Sequence, residues 1–109
     1  MIDSHCHLFF DSIKNNINDV INRSIESKIT AILSINTKFD EFHLHYNLIT
    51  NYQSVFISVG QHPDNVGQKN IISKNDILNI CNKYEKVIGI GETGLDFYHS
   101  YDYKKEQYI

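Results

Sequence analysis

The 109-residue sequence predicts an α/β fold of parallel strands, and three observations predict it. Short apolar, β-branched runs alternate four times with stretches of helical period. The runs are apolar almost throughout, as strands buried on both faces are. Histidines and a glutamate then gather where those runs end. Such alternation calls for parallel strands joined by right-handed crossovers. It fits either a portion of a barrel or an open doubly wound sheet, and both gather their sites on the carboxyl edge of the strands.

Met1 to His7 reads as the first strand. Ile17, Val20, Ile21, Ser24 and Ile25 follow at i, i+3, i+4, i+7 and i+8, which places four large apolar side chains on one helix stripe. Thr30 to Ile35 is the second strand, and Phe39, Phe42, Tyr46 and Ile49 give the second helix stripe. Val55 to Gly60 is the third strand, closed by Gly60 and by Pro63, the sole proline. Ile77, Leu78, Cys81 and Tyr84 mark a third helix, Val87 to Gly91 a fourth strand, and a fourth helix is expected to start near Asp102. With no linker, repeat or charge run, residues 1–109 are expected to form one partial domain of four βα units.

Composition narrows the function classes. A hydrophobic fraction of 41% and a charged fraction of 21% belong to a globular chain rather than a disordered one. The net charge of −3 exerts no global pull toward nucleic acid, so any contact with it must be local. Cys6 and Cys81 are too few and too far apart for a disulfide framework, which fits a reducing compartment. The N-terminus lacks the basic and apolar regions of a signal peptide, and no apolar run approaches the ~20 residues of a membrane span. A cytoplasmic protein without a membrane partner is expected.

His5-Cys6-His7 is the strongest chemical feature. Side chains alternate across a strand, so His5 and His7 point the same way and can share a metal ion, while Cys6 points into the core. Asp3 falls in the same alternating set and is expected to orient one of the imidazoles. A His-x-His pair met at random is usually two surface histidines; the end of a buried strand reverses that reading. Glu92 lies in Gly89-Ile-Gly-Glu-Thr-Gly-Leu-Asp96. Its glycines spell a dinucleotide fingerprint, but that needs a helix opening on the loop and an acidic residue about 20 positions on; the chain ends first, and Glu92 would stand where pyrophosphate must approach. A tight strand-end loop presenting a carboxylate to a metal is the better reading, against a Glu that only solvates or caps the loop.

His62 sits before Pro63, which holds it extended. It would suit a donor to a substrate oxygen near the metal, or it is a plain loop histidine. His43 and His45 are two apart on a predicted helix, so they face different directions and cannot share a metal; the nearby Asp40 and Glu41 read as a solvated face. His99 lies among Phe97, Tyr98, Tyr101 and Tyr103, a loop more apt to pack than to stack on bases.

Three blocks in order, Ile2 to Leu8, Ser58 to Pro63 and Ile90 to Tyr98, resemble the TatD-type metal-dependent deoxyribonucleases. The resemblance runs the length of the chain. It implies the N-terminal half of a (β/α)8 barrel with one or two divalent metal ions (Mg, Mn or Zn) on its C-terminal face. The positions of His5, His7 and Glu92 are then metal ligands, Glu92 bridging when two ions bind, and His62 lies beside the substrate phosphate. Gln107 matches the start of the family's next helix motif. Asp64 departs from the family, where many members have His. DNA is the implied substrate, cleaved by attack of a metal-activated water on a phosphodiester.

A (β/α)8 barrel takes about 200 residues at minimum, so a truncated or split product, inactive alone, is expected. Its bare first and fourth strands invite self-association or a complementary barrel half. The alternatives are a catalytically dead remnant, or a metal-dependent hydrolase acting on another ester or amide.

Overall fold

A computed structural model describes residues 1–67, 71–98 and 103–108. Four parallel strands, β1 (Ile2–Cys6), β2 (Ala31–Ser34), β3 (Val55–Val59) and β4 (Val87–Ile90), lie side by side in sequence order, so β1 and β4 form the edges. The alternation of strand and helix is the predicted one. The connections carry α1 (Asp11–Lys14), α2 (Ile17–Glu26), α3 (Phe42–Ile49) and α4 (Lys74–Lys83). The helical turn α1 has no counterpart in the apolar periodicity. Phe39 falls in a separate single turn, Phe39–Glu41, just ahead of α3. Asp102 and His99 lie outside the described residues, and Glu106–Tyr108 forms a short 3-10 turn.

The core lies on one face of the sheet. Ile32, Val55, Ile57 and Val59 meet Ile17 and Ile21 of α2, Phe42 and Ile49 of α3, and Ile80 of α4. Register explains the choice of face: Ile32 pairs with Val55, while Leu33 pairs with Phe56 and points the other way. Two predicted stripe members miss the core. Ile25 ends its helix exposed, and Leu78 is exposed because α4 turns Ile77, Ile80, Cys81 and Tyr84 inward instead.

Helix α4 begins with a reciprocal cap. The Ser73 hydroxyl accepts from the Asp76 amide, and the Asp76 carboxylate accepts from the Ser73 amide and hydroxyl. Those bonds, the hydroxyl's first, hold the Asp76 carboxyl below its ordinary range. Ser73→Ala is expected to cost about 1 kcal/mol, read as a lower urea midpoint with an unchanged slope.

Each edge strand carries an irregularity. Asp3 pairs with Ile32 and Cys6 with Ser34, three steps along β1 against two along β2. The extra residue is a β-bulge, which bends the strand and breaks its alternation. A second register shift falls between Ile57 and Ser58 against β4. Among the described residues, no helix is long and apolar enough to cross a membrane.

Candidate metal centre

The site is assembled by backbone before any side chain takes part. Ile35 N–H donates to the Cys6 carbonyl, His62 N–H to the Thr37 carbonyl, and Glu92 N–H to the Asn36 carbonyl. Residues 35–37, just past β2, therefore register the three loops that bear the candidate ligands. Gly91 N–H donates to the Val59 carbonyl, tying the Glu92 loop to β3 as well. Gly60 completes the seat: a Cβ there would lie 2.5 Å from the Gly91 carbonyl carbon and 2.9 Å from the Glu92 oxygen. Gly91 itself has φ +154°, which L side chains rarely adopt.

On that frame three side chains converge. The Nε2 atoms of His5 and His7 lie 3.2 Å apart, and Glu92 Oε2 stands 3.8 Å from the first and 3.9 Å from the second. Candidate ligand atoms of the three lie within 4.8 Å of one another. Neighbouring strands are ~4.8 Å apart, so the edges of a flat four-stranded sheet would be separated by roughly 14 Å. Side chains from β1 and from the end of β4 can meet only because the sheet is strongly curled. That convergence selects the barrel portion over the open sheet.

The donor set suits a divalent cation. Two imidazole nitrogens on a tetrahedral ion, each 2.0–2.1 Å from it, would lie ~3.3 Å apart, close to the spacing found. Glu92 adds a carboxylate oxygen from the far edge. His62 joins from the β3 side, its Nε2 3.7 Å from Glu92 Oε1. The His62 Nδ1 accepts from the Asp64 amide, so the neutral ring carries its proton on Nε2, the atom facing the site.

Asp3 does not orient an imidazole. The bulge takes it out of the alternating set, and its Oδ1 accepts the backbone N–H of His5. His7 Nδ1 is buried without a hydrogen-bond partner among the described residues. Cys6 packs against the core, and burial followed by nearby Asp3 pushes its thiol pKa up. Gln107 locks the loop after Glu92, accepting from Asp96 N–H and donating to the Asp96 and Pro63 carbonyls. His43 and His45 diverge: His43 meets the Tyr84 hydroxyl at 3.0 Å, whereas His45 turns inward.

The family model described as TatD related DNase matches residues 2–109. The chain belongs to that family. Among curated TatD-like relatives, an uncharacterized metal-dependent hydrolase of Buchnera aphidicola (subsp. Baizongia pistaciae) is 39% identical, the match covering 100% of the chain and 42% of the relative. The 3'-5' ssDNA/RNA exonuclease TatD of Shigella flexneri is 26% identical over 98% of the chain and 41% of its own length. The chain thus spans about two fifths of these relatives. The crystal structure of YjjV, a TatD homologue from Escherichia coli K12, superimposes with a TM-score of 0.80 at 22% identity, covering 99% of the chain and 42% of YjjV. The fold is accordingly that of part of the TatD barrel.

Proposed function

We propose that these residues form the first part of a metal-dependent phosphodiesterase site acting on DNA. The observation that carries this reading is the meeting of His5, His7 and Glu92 from opposite edges of one curled sheet. His5 and His7 would hold a divalent ion, Mg, Mn or Zn, and Glu92 would complete or bridge a pair of ions. Such an ion lowers the pKa of a bound water and stabilises charge on the leaving oxygen of a phosphodiester. His62 presents its Nε2 proton to a phosphoryl oxygen placed beside Glu92, and the Asp64 amide keeps that tautomer in place. The family membership and the nuclease named among the relatives support nucleic acid as the substrate.

Calorimetric titration with Zn²⁺ or Mn²⁺ tests the metal reading. One binding event is expected, weakened at least tenfold in His7→Ala and in Glu92→Ala. No binding, or binding indifferent to both substitutions, overturns it. Three protein ligands from one portion of a barrel are expected to bind the ion without turning over a phosphodiester. Metal-dependent hydrolysis of single-stranded DNA by the 109-residue chain alone, lost in His5→Ala, would show instead that the site is sufficient.

A further inference from the structure

A cavity of about 420 Å³ opens beside the metal centre, between the loop after β1 and the start of α3. Phe9, Phe10 and Leu44 form its apolar wall, and Lys14 and Lys38 stand at its rim. We propose that it is a base-stacking subsite for single-stranded nucleic acid, with Phe10 as the platform. This rests on the phosphodiesterase reading above and adds where the nucleotide's base is held.

The ring contacts single out Phe10. Phe9 is already engaged, stacked on His45 with centroids 5.0 Å apart and with Lys14 Nζ 5.0 Å from its ring. Phe10 lies nearly parallel to the His7 ring, centroids 4.5 Å apart and planes 8° off, yet is 49% exposed. One face of Phe10 thus backs onto a candidate metal ligand while much of the ring stays open. A base laid on the open part sits two stacked rings from His7, so its own phosphate can reach the site. Base–aromatic stacking tolerates any sequence, because every base has a π-face.

The rim supplies ammonium donors for a nucleotide's phosphate. Lys14 and Lys38 are steadied by Asp11 at 2.5 Å and Glu41 at 3.0 Å. An ammonium has three donors, and exposed pairs of this kind bind weakly, so each lysine keeps protons for a phosphate. Asp11 and Glu41 line the same cavity, so the lysines offer local donors to a phosphate rather than a net positive field.

The chain has no tryptophan, so Phe10→Trp places a single indole on the proposed platform. In EDTA, the trinucleotide dA3 is expected to quench that indole and to bind about tenfold or more tightly than an abasic trinucleotide of equal charge. Heteronuclear NMR titration should show the same base selectivity in the unsubstituted chain. Phe10→Leu, which keeps bulk without a π-face, should lose it, and Phe10→Trp should keep it. Equal binding of dA3 and its abasic counterpart, no binding of either, or undiminished selectivity in Phe10→Leu overturns the subsite. If metal titration succeeds while base selectivity is absent, the subsite alone fails. Base-selective binding without any metal affinity refutes the phosphodiesterase reading instead.

Discussion

Gly60→Ala is expected to lower the affinity for a divalent ion more than tenfold, to the level of Glu92→Ala. The added methyl would lie 2.5 Å from the Gly91 carbonyl carbon, 2.7 Å from its oxygen and 2.9 Å from the Glu92 oxygen. All three are backbone atoms, which cannot swing aside as a flexible side chain can. Relief has to come from the loop, and the loop is held by Gly91 N–H on the Val59 carbonyl and Glu92 N–H on the Asn36 carbonyl. Moving it draws the Glu92 carboxylate from His5 and His7. Overpacking of this kind typically costs 1–3 kcal/mol as well. Gly89→Ala is the control: its Cβ would meet nothing within 4 Å, so affinity should hold. Calorimetry for the metal and circular dichroism for the fold separate the two effects. A folded Gly60→Ala chain with unchanged affinity would refute the positioning role.

Acid is expected to destabilise the fold by as much as roughly 3 kcal/mol between pH 6.5 and about 4, through His45 alone. That ring is 1% exposed, its Nε2 lies 2.7 Å from Ser34 Oγ, and Phe9 stacks on it. Burial first, and then the neighbouring His7, push its pKa from 6.5 down to about 4. In this window the unfolded chain binds a proton that the folded chain refuses. Stability from the neutral ring is therefore complete above 6.5 and declines as the pH falls toward 4. Asp11 and Asp76, whose carboxyls are held below their ordinary range, lose their contribution only at lower pH still. Urea midpoints measured from pH 7 to pH 4.5 should fall steadily, and His45→Gln should flatten that fall while starting from a lower value. A flat profile in the unsubstituted chain would show that His45 is solvated.

Much of this is legible in the sequence. Continuous apolar, β-branched runs locate the four strands, and the 3.6 period locates three of the helices. His5, His7, His62 and Glu92 stand out because strand ends are where α/β folds place reactive groups. Other features left no mark in the side-chain pattern. Strict alternation puts Asp3 with His5 and His7, and a bulge interrupts that alternation. The burial of His45 has no signal in its neighbours Asp40 and Glu41, and Ser34 on the facing strand satisfies it in the core. The work of Asn36, Thr37 and Gly60 passes through carbonyls and a missing Cβ, so residue type signals it only at the glycine. The two register shifts that bend the edge strands are likewise invisible in hydrophobicity.

Because the candidate ligands come from the first and last strands, an ion bound there would close nearly the whole chain into one loop. Binding and folding would then be thermodynamically linked, since the unfolded chain offers no such cluster. An ion at a hundredfold excess over its dissociation constant would add about 2.7 kcal/mol to the stability of the folded state. The thermal midpoint thus becomes a gauge of occupancy.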